Sequence, residues 1–255
     1  MSIHNRLPIA YIIPDTQSRE GVLNPLIPIA KHICQIRPDI IIHLGDHWDM
    51  PSLSQYDKGK KSHRVKTYFK DITAANKAMS EFWKICYKYW PMINGECQSI
   101  YLLGNHCNRI EKAKEYGPDE LVDLMDLYPR DHLNWDRVIP FLEVYKWNDI
   151  EFCHYFQNHN SPAPISTARQ LLMKSHTSRI AGHKQGFDYE EMPSGSDKII
   201  QAMIIGSCYY HHEAYKAHTN NHWNGTVVLK NVENGMFDFS RYSLNSLANW
   251  YGKTI

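Results

Sequence analysis

The chain has 255 residues, 43% of them hydrophobic and 22% charged, with a formal net charge of +1. Such a length suffices for one large domain with its own core, and the composition is that of a globular chain. The small net charge supplies no strong global field toward nucleic acid or a membrane surface, and no apolar run approaches the roughly 20 residues that span a bilayer. Six cysteines (Cys34, Cys86, Cys97, Cys107, Cys153 and Cys208) lack any CxxC spacing. This argues against a disulfide framework or a structural zinc site and fits a reducing cytoplasm.

The first apolar run, Ile9-Ala10-Tyr11-Ile12-Ile13, reads as a buried strand and not as a signal peptide, because Pro8 and Pro14 bracket it and no small-residue cleavage site follows. It ends in Pro14-Asp15-Thr16-Gln17. Asn24-Pro25 then offers an N-cap with proline at the first helical position, and Leu26, Ile29, Ala30, Ile33 and Ile36 recur at helical spacing. Arg37-Pro38 stops that helix. A second buried strand, Ile40 to Leu44, runs into Gly45-Asp46-His47-Trp48-Asp49. Strand, helix and strand in about forty residues form a βαβ unit and imply a parallel pair.

Residues 50–66 are polar and carry Lys58, Lys60, Lys61, Arg64 and Lys66, a run that reads as a solvated loop with phosphate contact as the alternative. The spacing of Phe69, Ile72, Ala75, Met79, Phe82, Cys86 and Trp90 predicts a long amphipathic helix over 67–90. After a turn at Asn94-Gly95, the strand Ser99 to Leu103 ends in Gly104-Asn105-His106-Cys107-Asn108-Arg109, followed by helical stretches around Ile110 and over 119–127. From Phe141 the pattern turns to β. Phe141 to Trp147 and Ile150 to Phe156 read as a hairpin around Asn148-Asp149, with His154 on its second strand. A helix over 165–176, a short strand Ser178 to Ala181 ending in Gly182-His183-Lys184-Gln185, and strands over 198–207, 225–232 and 236–244 complete the reading. No repeat or linker divides residues 1–255, so a single domain is expected.

Several apolar strands thus end in a polar set: Asp15 with Gln17, Asp46 with Asp49, Asn105 with His106, and His183 with Gln185, with His154 on a further strand. In α/β sheets ligands bind beyond the carboxyl ends of the strands, and neighbouring strands would bring these groups to one edge. Mixed carboxylate, amide and imidazole donors suit manganese, iron, zinc and similar divalent ions. No Gly-rich phosphate loop, GxSxG elbow or Cys/His nucleophile pattern is present, which leaves water as the expected nucleophile.

In this order the motifs Asp-x-Gln, Gly-Asp-x-x-Asp, Gly-Asn-His, His and Gly-His-x-Gln resemble those of the calcineurin-like metallophosphoesterases, over Asp15 to Gln185. The Gly-Asn-His-x-x-Arg form, with Gly206-Ser207-Cys208 and Asn221-His222-Trp223, is similar to phage-encoded members, for which the compartment would be the host cytoplasm. The resemblance implies an α/β fold, a four-layered α/β/β/α sandwich with mixed sheets, and a two-metal site. Manganese is the ion expected first, with iron, zinc, magnesium, nickel or cobalt as alternatives. Carried over, Asp46 would bridge both metals, Asp15 with Gln17 and Gln185 would serve one, and Asn105, His154 and His183 the other. His106, paired with Asp49, would protonate or orient the leaving group, and two cations about 4 Å apart would hold a bridging hydroxide. Arg109 could hold a nonbridging phosphate oxygen, with a surface salt bridge as the alternative. Tyr209 and His211, with Tyr210, His212, His218 and His222, are candidates for lining a substrate pocket.

Gln17 and Gln185 stand where the family has histidines. A carbonyl oxygen is a harder and weaker donor than an imidazole nitrogen, so the first site is expected to be loose and to favour manganese or magnesium over zinc. The expected activity is hydrolysis of phosphate esters, with phosphodiesters of nucleic acid or nucleotides ahead of phosphomonoesters and phosphoproteins. The competing reading is a metal- or nucleotide-binding module that has lost its first site.

Overall fold

The computed structural model describes residues 6–54, 67–116, 134–158, 160–195, 198–210 and 222–252. The basic run from Lys58 to Lys66, the expected helical stretch over 119–127, and His211, His212, His218 and Asn221 lie outside the described residues.

Strand β1 (Ala10–Ile13) leads to helix α1 (Leu26–Ile36) and back to β2 (Ile40–His43), which pairs with β1 in parallel. The start of α1 follows the expected chemistry. Asn24 Oδ1 accepts from Leu26 N–H at 3.0 Å, while Pro25 already has helical dihedrals. Its end is Arg37, whose left-handed backbone (φ 50°) lets its N–H bond Ile33 O before Pro38. Helix α2 (Tyr68–Tyr89) begins at Thr67, whose side chain accepts from Lys70 N–H. At Asn94-Gly95 the structure has a single helical turn, α3 (Ile93–Glu96), where a plain turn is expected from the sequence. Strand β3 (Gln98–Leu102) pairs with β2 in parallel, and helix α4 (Asn108–Tyr116) follows it.

A short strand β4 (Arg137–Ile139) extends the sheet beyond β3. The hairpin of β5 (Tyr145–Trp147) and β6 (Ile150–Cys153) turns at Asn148 and Asp149, both left-handed (φ 46° and 60°), as a two-residue connection with right-handed strand twist requires. Two short strands, β7 (Gln157–Asn158) and β8 (Ser161–Pro164), form a separate pair. Helix α5 (Ala168–Ser175) is shorter than its apolar spacing suggests, because Thr167 caps it by accepting from Gln170 N–H. The remaining strands are β9 (Ser178–Ala181), β10 (Phe187–Pro193), β11 (Ile199–Ile205), β12 (Gly225–Glu233) and β13 (Met236–Ser243), followed by helix α6 (Leu244–Tyr251).

These strands make two principal sheets. One has six strands in the order β13-β12-β1-β2-β3-β4, and the other has five in the order β10-β11-β9-β6-β5. Both are mixed: β1 to β4 run parallel and β12 and β13 antiparallel, while β11, β9 and β6 run parallel between antiparallel edges.

The period of two along the strands divides the core into three interfaces. Tyr11, Ile13, Ile41 and Tyr101 pack with Leu26, Ile29, Phe82 and Leu247 of the helices. Their alternates Ala10, Ile12, Ile40, Ile42 and Ile100 meet Phe152, Ile180 and Met203 of the second sheet. Cys153, Ala181, Ala202 and Ile204 on that sheet's far side pack against Leu171 and Leu172 of α5. Helix, sheet, sheet and helix are stacked in that order, a four-layered α/β/β/α sandwich. No helix among the described residues is long and apolar enough to cross a membrane.

Candidate metal centre

Loops leaving the carboxyl ends of β1, β2, β3, β6 and β9 meet at one edge where the two sheets adjoin. Gln17 N–H bonds Asp46 O at 2.8 Å and Ser18 N–H bonds His47 O at 2.8 Å, zipping the first loop to the second. The third loop joins them through His106 N–H, which donates to Asp46 Oδ1 at 2.8 Å. The last joins through His183 N–H, which donates to Asp15 Oδ1 at 3.1 Å. Asp15 and Asp46 are 1% exposed.

Glycines make this closeness possible. A Cβ on Gly104 would lie 2.0 Å from Asp46 Oδ1, and one on Gly182 would lie 2.9 Å from Asp15 Oδ1. Gly104 and Gly182, each next to a ligand residue, therefore clear space for the carboxylate of another loop.

Four donors converge at the centre. His154 Nε2 lies 2.8 Å from Asn105 Oδ1 and 3.2 Å from Asp46 Oδ2, and His183 Nδ1 lies 2.8 Å from the same Asn105 oxygen. Ligand atoms of Asp46, His154 and His183 lie within 4.8 Å of one another. The proton count on His154 shows what the cluster accommodates. Its Nδ1 faces Leu44 O at 2.8 Å and must donate to that carbonyl. A neutral ring would then turn its Nε2 lone pair toward two acceptor oxygens, an arrangement that a bound cation or a second ring proton reconciles.

The local electrostatics agree. Burial opposes charge on His154, but Asp46 and Asp15 outweigh it and raise its pKa to about 9. Burial drives Asp15 up to about 7, against the attraction of His154 and with the repulsion of Asp46. Burial likewise penalises ionised Asp46, yet His154 and His106 hold it well below the usual carboxylate range. His183 is lowered to about 3 by burial and by His154, so it is a neutral donor. Two buried carboxylates, two imidazoles and an amide oxygen aimed at one point fit a divalent cation, which would take the place of the extra proton on His154.

Gln17 is 3% exposed and left-handed (φ 36°), and its Oε1 is buried without a hydrogen-bond partner among the described residues. An orphaned carbonyl oxygen there suits a metal ligand, since leaving it unpaired costs about 1–3 kcal/mol. Gln185 stands two residues after His183, half-buried, with its backbone carbonyl accepting from Trp223 N–H at 2.9 Å.

Beside the centre lies the expected acid pair. His106 Nδ1 donates to Asp49 Oδ1 at 2.6 Å, and Asp49 is 1% exposed. Burial works against a charged His106, but Asp46 and Asp49 prevail and raise its pKa. Asp49 is held well below the carboxylate range, despite burial, by His106 and Arg19. Arg19 was not apparent in the sequence: its guanidinium pairs with Asp49 Oδ2 from 30 residues away, and no local pattern announces it. Arg109 is more deeply engaged than either sequence alternative. Its Nη1 donates to Asp49 O at 2.8 Å and Met50 O at 3.3 Å, and its Nη2 lies 3.1 Å from His106 Nε2.

Two other aromatics bear on the site. The Tyr155 ring lies 4.7 Å from the His183 ring, tilted by 47°, and is half-buried, a neighbour without a sequence signal beyond its place after His154. Tyr209 is only 3% exposed, inside the fold next to Cys208, whose N–H bonds Asp15 O at 2.7 Å.

No protein-family model matches the chain, and no curated protein matches it. Among solved structures, wild-type Vps29 complexed with zinc from Entamoeba histolytica is 11% identical, over 93% of this chain and 99% of that one, with a TM-score of 0.41. Yfce, a phosphoesterase from E. coli, is 12% identical, over 93% of this chain and 100% of that one, with a TM-score of 0.43. Scores this low assign neither activity nor ligand. In motif order and in its four-layered fold, the chain resembles the calcineurin-like metallophosphoesterases.

Proposed function

We propose that the chain is a metal-dependent phosphoesterase that hydrolyses phosphodiesters of nucleic acid or nucleotides. The observation that carries this reading is the pair of His106 with buried Asp49, fixed against the four-donor cluster through His106 N–H and Asp46. A module that only bound metal would have no use for an imidazole oriented by a carboxylate beside the cluster.

Asn105, His154 and His183 would hold one cation, Asp15, Gln17 and Gln185 the other, and Asp46 both. Bound divalent cations supply Lewis acidity, offsetting charge on the phosphoryl oxygens and making water nucleophilic at neutral pH. The chain's own residues do the rest. Asp49 keeps the His106 proton on Nδ1 and favours a second proton on Nε2. With that proton in place, Nε2–H no longer accepts from Arg109 Nη2 and can donate to the leaving oxygen. Arg109, still anchored by Nη1 on the Asp49 carbonyl, then has Nη2 free for a phosphate oxygen. Gln17 and Gln185, as oxygen donors, make the first site the weaker one and favour manganese there.

The test is hydrolysis of bis-p-nitrophenyl phosphate, p-nitrophenyl phosphate, DNA, RNA and cyclic nucleotides with manganese, for wild type, Asn105→Ala and His106→Ala. Diester turnover that needs the metal, collapses in Asn105→Ala and falls in His106→Ala with metal still bound is expected. Metal binding without turnover on any ester would favour the binding-module reading.

A further inference from the structure

Behind the ligand loops lies a buried polar chain with no part in the chemistry above. Thr16 Oγ1 is 3.1 Å from His43 Nε2 and 2.8 Å from His47 Nδ1. The far nitrogen of each ring is engaged too. Gly45 N–H faces His43 Nδ1 at 3.1 Å, and His47 Nε2 faces Ala75 O at 2.9 Å. Thr16, His43 and His47 are each 0% exposed, while Ser18 Oγ, at 3.4 Å, is a distant second neighbour of His47 Nδ1.

These contacts permit one arrangement of protons. A backbone N–H can only donate, so His43 Nδ1 accepts and its ring hydrogen sits on Nε2, pointing at Thr16. A backbone carbonyl can only accept, so the His47 hydrogen sits on Nε2 and its Nδ1 needs a donor. The Thr16 hydroxyl accepts from one ring and donates to the other. The chain runs in one direction with both rings neutral.

We propose that Thr16 is a positioning residue for the metal centre. Its hydroxyl locks the Asp15–Gln17 loop onto the Gly45–Asp49 loop and so fixes Asp15 and Gln17 relative to Asp46. His43 grips Gly45, the residue before Asp46, and His47 is the residue after it, so the hydroxyl holds both flanks of that carboxylate. Valine has the shape of threonine and would serve as well if Thr16 only filled space. This inference rests on the metal-binding reading above.

The test compares wild type, Thr16→Val and Thr16→Ser. Manganese and zinc binding is measured by calorimetry, and histidine tautomers of the metal-free protein by ¹⁵N NMR. Loss of an outer-shell partner weakens metal binding by about 10–100-fold, and that is expected for Thr16→Val, with Thr16→Ser within about threefold of wild type. In wild type, His43 and His47 should both show the neutral Nε2–H form at neutral pH. Wild type binding neither ion would overturn the metal reading and this inference with it. Equal affinity in wild type and Thr16→Val would overturn the positioning role alone. Should Thr16→Val not fold, the wild-type tautomers and Thr16→Ser decide: a cationic or Nδ1–H ring, or a serine variant weakened like a deletion, refutes the proposal.

Discussion

Replacing Gly104 with alanine would act on Asp46 and little else. The new Cβ would stand 2.0 Å from Asp46 Oδ1 and 2.6 Å from Asp46 Cγ and N, where contacts under 3.0 Å do not occur. The carboxylate must therefore recede by at least about 1 Å (3.0 minus 2.0), because the clash leaves no rotamer of the new methyl to relieve it. It would surrender the 2.8 Å bond from His106 N–H, a charge-assisted contact of about 1.5–3 kcal/mol. Overpacking adds a cost of similar size, so about 3 kcal/mol in total is a conservative figure. For a chain of this length that lowers Tm by about 6–12 °C. Metal affinity should fall on the order of 100-fold, because a displaced ligand costs at least what a lost outer-shell partner does. Gly95→Ala is the control: nothing lies within 4 Å of its Cβ, it sits in the short helix α3, and helix propensity alone predicts a stabilisation of up to ~1 kcal/mol. Urea unfolding and calorimetric metal titration read both variants. A Gly104→Ala protein that unfolds and binds manganese like wild type would refute the placement of Asp46 against the third loop.

Metal itself should stabilise the chain: at a free concentration 100 times Kd the gain is about 2.7 kcal/mol, visible as a rise in Tm of about 5–10 °C that chelator reverses. Zinc and manganese should differ, and two zinc ions retained per chain after dialysis would contradict a weak first site. His106→Ala should lower turnover by about 10²–10⁴-fold while calorimetry shows the ions still bound, and equal loss of binding would assign it a ligand role instead. Arg19→Gln removes the cation on Asp49 Oδ2, and is expected to cut turnover with little change in metal affinity. His32, 3% exposed and tied to Tyr11 Oη at 2.8 Å, has its pKa lowered by burial and by Lys230 to about 4. The unfolded chain, titrating near 6.5, then binds the extra proton, so stability falls as pH drops through the window from 6.5 to 4. The loss from this residue is about 2 kcal/mol at pH 5 relative to pH 8, and the unfolding free energy of His32→Gln from urea titration should vary less over that window by that amount.

The central strands were legible because each is a short apolar run closed by a polar set, with glycine between run and set after β2, β3 and β9, a pattern that requires burial on both faces. Asp15, Asp46, Asn105, His154 and His183 could be placed from those runs, since strand ends fix direction and parallel pairing fixes the edge. What lay at the margins was not legible. Strand β4 is three residues long, and β10 (Phe-Asp-Tyr-Glu-Glu-Met-Pro) is a half-buried edge whose acids resemble a loop. Helix α6 starts at Ser243, which caps by accepting from Ser246 N–H, but the apolar run of β13 continues to Leu244 and hides the boundary. Arg19, Thr16, His43 and His47 matter through partners 27 to 31 residues away, and no spacing along the chain encodes a hydrogen bond that tertiary folding creates.

The convergence of loops also governs how the fold comes apart. The contact between His183 and Asp15 closes a separation of 168 residues, that between His154 and Leu44 one of 110, and that between His106 and Asp46 one of 60. A cation gripped by these segments would be a reversible cross-link across both sheets, removing loop-closure entropy from the unfolded chain as a disulfide does. Its release would then require local opening at the seam between the sheets. Ion exchange should accordingly follow the slow amide exchange of β2 and β6 and not the fast exchange of surface turns.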